Sequence, residues 1–191
     1  MTALVSYAPS NALRLVLAAN DLVVVAGIPG AGKSTLLHEA DNRAHAVVVD
    51  SEHVACRLST VVPERLSYRW YRPLVHVVHR YRILRMALRY SGPVFALLPA
   101  TCASTRLLLV VIGMLSRRTR RLLWISVDVD AAYGAQVARG RVNPPRSFAR
   151  HVRRARAIED TLRDGSRLRG WRSVKVLRRP PRGRRLVLAA G

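Results

Sequence analysis

Apolar residues along this chain fall into two alternating patterns: short β-branched runs, and longer stretches in which apolar positions return every three or four residues. Asp21–Ala26 (DLVVVA) belongs to the first kind and ends at a glycine-rich turn, the pattern of a strand buried on both faces of a parallel sheet. Lys33–Asn42 then reads as a helix. Ala46–Asp50 (AVVVD) is a second β-branched run, ending on a carboxylate and completing a βαβ unit. Leu66, Trp70, Leu74, Val77, Tyr81, Leu84 and Leu88 trace a long amphipathic stripe, with Pro73 expected in its first turn. Arg69, Arg72, Arg80, Arg82, Arg85 and Arg89 take the remaining positions, the expected solvated face of a packed helix. Pro93–Leu98 is a third strand, Ser104–Arg118 a helix, Leu122–Asp130 a fourth strand, Asp130–Gly140 a short helix, Arg146–Arg163 a longer one, and Trp171–Leu177 a last strand. Five strands separated by helices, with no internal repeat, predict an α/β three-layer sandwich with a mostly parallel five-stranded sheet. The proline-rich, charged Arg178–Arg185 is predicted not to pack, which makes 1–177 the folded domain and 178–191 a basic tail.

The length of 191 residues fits one domain, and an apolar half of the composition excludes disorder, collagen and a disulfide scaffold. The charge is +22, carried by 33 basic residues against 11 acids, with only Lys33 and Lys175 as lysines. Such a field attracts polyanions without choosing among nucleic acid, phosphorylated metabolites and an acidic membrane surface. Cys56 and Cys102 show neither metal-type spacing nor a disulfide framework, and Met1–Ala19 lacks a cationic stretch ahead of an apolar run. The longest uncharged apolar stretches, Val94–Thr105 and Leu107–Leu115, fall short of the roughly 20 residues of a membrane helix. A cytoplasmic protein without a membrane span is the expectation; its oligomeric state is not readable.

Chemistry enters with Gly27-Ile28-Pro29-Gly30-Ala31-Gly32-Lys33-Ser34-Thr35, which fits G-x-x-x-x-G-K-[ST] between a buried strand and a helix. The glycines let the backbone curl so that successive N–H groups point at a phosphate chain, and the following helix adds the positive end of its dipole. Lys33 is then within reach of the β- and γ-phosphates, Ser34 of Mg²⁺, and Thr35 of the loop or the α-phosphate.

With these residues the chain resembles the small P-loop kinase-like nucleoside triphosphatases. This group includes polynucleotide kinase, zeta toxins, gluconate kinase and adenylylsulfate kinase, and many members are described only as ATP-binding proteins or AAA family ATPases. Two further features carry the resemblance over residues 21–177: Asp50-Ser51-Glu52, where these kinases commonly have D-x-D, and Gln136-Val137-Ala138-Arg139-Gly140-Arg141, similar to their arginine-bearing lid, placed here near 131–165. The resemblance implies a P-loop fold that binds ATP and Mg²⁺, with Asp50 near the metal and Glu52 taking a proton from an acceptor hydroxyl. It also implies that Arg139 and Arg141 neutralise charge on the transferred phosphoryl group.

The third strand, PVFALLPATCAS, carries no carboxylate where the resemblance leads one to expect an aspartate near Leu97 or Leu98. Three readings stay open: Asp50 or Asp128 serves from a neighbouring strand, Mg²⁺ is held only through Ser34, phosphates and water, or nucleotide is bound without efficient turnover. Asp128 reads as a strand end and Asp130 as a helix N-cap. His76 and His79 share one helix face with no carboxylate nearby in sequence and read as structural. The leading function is transfer of the ATP γ-phosphate to a hydroxyl; the acceptor stays open, the charge suiting a nucleic-acid end, a sugar-nucleotide or another phosphorylated molecule alike, or reflecting only an arginine-rich composition. The alternative is a nucleotide-binding regulatory or nucleic-acid-associated protein with little or no turnover. A toxin-like role follows from the layout shared with zeta toxins. No N-K-x-D signature for guanine is present.

Overall fold

The structure, a computed structural model, describes residues 5–7, 13–61, 68–140, 142–166, 168–178 and 186–191. Five strands form the main sheet: β3 (Asp21–Ala26), β5 (Val47–Asp50), β6 (Val94–Leu97), β7 (Thr119–Ser126) and β8 (Ser173–Arg178), in the order β5-β6-β3-β7-β8 and parallel throughout. The central β3 is buried at every position, as its unbroken run of apolar side chains requires. Helices α1 (Lys33–His38), α2 (Ser51–Val61), α3 (Tyr68–Arg89), α4 (Ala103–Leu115), α5 (Val129–Ala138) and α6 (Pro145–Arg163) fill the connections. Leu22 and Trp124 point to one face of the sheet, since the registers pair Leu22 with Arg120 and Ala26 with Trp124. Gly113 of α4 lies against Leu22, and the indole N–H of Trp124 donates to Glu159 of α6 at 2.8 Å, so both helices cover that face.

A second sheet was not legible in the pattern. Strands β1 (Val5–Tyr7), β2 (Leu13–Leu17), β4 (Asp41–Asn42) and β9 (Leu186–Ala190) pair in the order β1-β2-β9-β4, with β2 and β4 both parallel to β9. Leu13, Leu15, Leu17, Leu186 and Leu188 join the common hydrophobic core. The final apolar stretch is therefore a strand packed on the domain and not the end of a tail, and the expectation for 179–185 lies outside the described residues. Pairing with β9 also shortens the first helix. It stops at His38, and Asp41–Asn42, expected to be helical, instead form β4.

Three further expectations shift. The fourth strand ends at Ser126, so Asp128, expected to end it, is the N-cap of α5, accepting from the backbone N–H groups of Asp130 and Ala131. Asp130, expected as that cap, lies in the first turn. Pro73 sits inside α3 and not in its first turn. The largest change concerns which face of α3 looks inward. Val75, His79, Ile83 and Ala87 are buried, whereas Trp70, Leu74, Val77, Tyr81 and Leu88 of the stripe marked by periodicity are exposed; its Leu84 is half-buried against the core and Leu66 lies outside the described residues. At 100° per residue the two sets lie on opposite sides of the helix.

The amino-terminal edge of the sheet is closed by a satisfied polar network. Asp21, fully buried, accepts from the Arg121 guanidinium at 2.7 Å and from the Ala18 N–H at 2.9 Å. Arg118, also buried, donates to the carbonyls of Ala87 (2.6 Å), Gly92 (2.8 Å), Ala19, Asp21 and Tyr90.

Candidate active site

The opposite, carboxyl-terminal edge gathers the motif residues. The loop leaves β3 through Gly27 (φ 146°), turns at Gly30 (φ 88°) and enters α1 through Gly32 (φ 79°), conformations that L side chains rarely adopt. Two of these positions also need the missing Cβ for space. A Cβ on Gly27 would stand 2.5 Å from the carbonyl oxygen of Ile125, and one on Gly30 would collide with that of Ala132 in α5. Ile28 and Ala31 turn their side chains into the core, so their share in a phosphate site is backbone only. Pro29 and Ser34 are half-buried and Thr35 is exposed. No side chain caps the start of α1, which leaves that helix end open to an anion in the loop.

Lys33 folds back over this loop, donating to the carbonyls of Gly27 (3.1 Å) and Ile28 (3.0 Å). Burial lowers its pKa to about 8, against the opposing pull of Asp50 and Glu52 and with a further lowering by Arg139. These three expected site residues are thus close enough to act electrostatically on the lysine. Arg139, the C-cap of α5, holds its guanidinium 3.6 Å from the Glu52 carboxylate, both side chains being roughly half exposed. Solvent screens such a pair to little net stability, so it can open for a ligand. Arg141 lies outside the described residues.

Asp50 ends β5 and pairs in register with Leu97 on β6. The position expected to hold an aspartate is therefore apolar, and a carboxylate stands one strand further out. After Leu98 the chain presents Pro99, whose carbonyl accepts the Gly27 N–H at 3.1 Å, then Ala100 at φ 44° and Thr101, whose hydroxyl lies 2.7 Å from Nδ1 of His151. Asp50 is buried; its Oδ1 accepts the Glu52 N–H at 2.9 Å and its Oδ2 has no partner. A buried carboxylate oxygen left without a partner is costly unless a ligand, cation or water completes it. Oδ2 of Asp50 and the hydroxyl of Ser34 are hard oxygen donors, the chemistry Mg²⁺ takes alongside phosphates and water. No group of three or more metal-type side chains exists among the described residues.

Two residues given no site role in the sequence belong to this edge. His79, expected to have no carboxylate nearby, is buried within electrostatic reach of Asp50 and beside the Leu97 backbone, with neither ring nitrogen in good hydrogen-bond geometry. Burial lowers its pKa to about 4, overriding Asp50. Gln136, buried in α5, donates to the Pro29 carbonyl (3.1 Å) while its oxygen accepts from the backbone (3.1 Å) and side-chain (2.9 Å) N–H groups of Asn143. It clasps the phosphate loop to the segment after α5. Its place within the lid-like Gln136–Arg141 stretch was the available signal; nothing in the sequence linked it to Pro29.

An all-parallel sheet with the loop leaving its central strand, backed by helices, defines the P-loop kinase-like α/β fold. No family model and no curated protein matches the chain. Among solved structures it is similar to the PezAT chromosomal toxin–antitoxin system of Streptococcus pneumoniae (11% identity, TM-score 0.57, 86% of this chain and 70% of that one). It also aligns with a tunicamycin resistance protein of Deinococcus radiodurans (12%, 0.48, 82% and 86%) and a gluconokinase of Sinorhizobium meliloti (14%, 0.47, 86% and 85%). At these identities the likeness concerns the fold, and the first comparison carries it. Among the described residues no helix is long and apolar enough to cross a membrane.

Proposed function

We propose that the protein transfers the γ-phosphate of ATP to a hydroxyl acceptor. The observation that carries this reading is the gathering of Asp50, Glu52 and Arg139 within electrostatic reach of Lys33 on the glycine-rich loop, with Glu52 and Arg139 3.6 Å apart. The backbone of residues 27–35 cradles the phosphates and Lys33 leaves the Gly27 and Ile28 carbonyls for the β- and γ-phosphate oxygens. Glu52 accepts the proton of the attacking hydroxyl as its oxygen bonds to the γ-phosphorus. The bond from that phosphorus to the β,γ-bridging oxygen breaks, and ADP leaves with the electron pair. Arg139, with Arg141 as its expected companion, balances charge on the transferred group. Asp50 and Ser34 would hold Mg²⁺, which supplies charge neutralisation on the phosphates.

The apolar end of β6 favours a second reading, a nucleotide-binding regulatory or nucleic-acid-associated protein with little turnover. Calorimetric titration with ATP and Mg²⁺, paired with a γ-phosphate release and transfer assay, separates the two. Lys33→Ala is expected to weaken binding at least about a hundredfold, and Glu52→Gln to lower turnover about 10²–10⁴-fold at unchanged affinity. Tight binding without turnover supports the second reading. Absence of binding removes both.

A further inference from the structure

The exposed stripe of α3 does not stand alone. On the neighbouring α4, Leu107, Val111, Met114 and Leu115 are exposed while Leu109, Val110, Ile112 and Gly113 face the core. The helices touch, the Arg80 guanidinium reaching the Thr105 hydroxyl at 3.5 Å. Together they display aliphatic and aromatic side chains on one outer surface, more than scattered single exposures account for. Its rim is cationic. At 100° per residue Arg85 and Arg89 flank one side of the α3 stripe and Arg80 the other, and neither α3 nor α4 carries an acid.

The charge pattern selects what can cover this face. A second copy would bring arginine against arginine with no acid on either helix to answer it, an unfavourable juxtaposition. A nucleic acid would pair with the arginines but give Leu74, Val77, Leu107 and Met114 no apolar medium. An anionic bilayer surface answers both features: aliphatic side chains enter the acyl boundary, Trp70 and Tyr81 sit at headgroup level, and arginines meet lipid phosphates. We propose that the α3–α4 face docks the protein on anionic phospholipid membranes as a peripheral, non-spanning contact. The assignment is independent of the phosphotransfer reading.

Flotation with vesicles of phosphatidylcholine containing about 30% phosphatidylglycerol, against pure phosphatidylcholine, tests it. The full chain is expected to float with the anionic vesicles, with a blue shift of tryptophan emission that disappears in Trp70→Phe, because Trp124 is buried and Trp171 half-buried. Replacing Leu74, Val77, Leu107 and Met114 together by Ser should weaken binding at least about tenfold. Arg85→Ala with Arg89→Ala should weaken it by a similar factor. The four apolar side chains are half exposed or more and both arginines are exposed, so the melting temperature by circular dichroism should fall only slightly and the variants should stay folded. Failure to float overturns the proposal. Flotation untouched by the serine substitutions also overturns it, reducing the effect to net charge. Stripe-dependent capture by duplex DNA, or a dimer in light scattering abolished by the same substitutions, would assign the face to nucleic acid or to a second copy instead.

Discussion

The two edges of the main sheet bury polar groups in opposite ways. At the amino-terminal edge Asp21 and Arg118 are sunk in the core with every demand met, the carboxylate by Arg121 and Ala18 and the guanidinium by five carbonyls. At the carboxyl-terminal edge Asp50 and His79 are equally buried, yet Oδ2 of the one has no partner and neither nitrogen of the other is in good hydrogen-bond geometry. Of the described buried side-chain atoms without partners, only the Ser173 hydroxyl lies elsewhere. Low dielectric strengthens a completed network and penalises an incomplete one. Burial alone therefore does not separate the two edges; an unmet hydrogen-bonding demand beside the glycine-rich loop does.

The contrast can be broken at either edge. Arg118→Ala should cost about 3–5 kcal/mol in denaturant unfolding, because it strands several carbonyls, and should leave nucleotide affinity unchanged in the fraction that folds. Asp50→Asn keeps the bond from the Glu52 N–H, so stability should move by less than about 1 kcal/mol while Mg²⁺-dependent turnover falls about a hundredfold. An equal loss of stability at both edges would erase the distinction. Titrating nucleotide affinity against pH sharpens it further. Free Lys33 has a pKa of about 8 and bound phosphate favours its charged form, so affinity should hold below pH 8 and weaken by up to about tenfold per unit above it. The smallest effect is expected of His79→Leu. Its ring makes at most a weak contact with the Leu97 backbone, so stability near pH 7 should stay within about 1 kcal/mol. The folded pKa lies below the unfolded one, so the native protein loses stability as pH falls from 6.5 towards about 4, and the leucine variant should lack that slope.

Local pattern disclosed the centre of the molecule. DLVVVA, the glycine-rich turn and AVVVD each declare their structure within a few residues, and the parallel sheet and phosphate loop were legible from them. Periodicity was a poorer guide on α3, where two opposite faces are apolar and spacing does not say which packs; only the sheet beneath selected Val75, Ile83 and Ala87. The second sheet was hidden because β9 pairs with β2 and β4 across most of the chain. The approach of Arg139 to Glu52 depends in the same way on tertiary placement.

The pairing of β2 with β9 has a consequence in time. Leu13 lies opposite Leu186, with β9 running between two strands made long before it. Contacts so distant in sequence close slowly. A chain emerging amino-terminus first can assemble β3, β5, β6 and β7 around the loop while β2 and β4 still wait for the strand that joins them. The nucleotide sheet is thus placed to mature before its companion, and during that interval the backbone edges of β2 and β4 stand open to pairing with other chains.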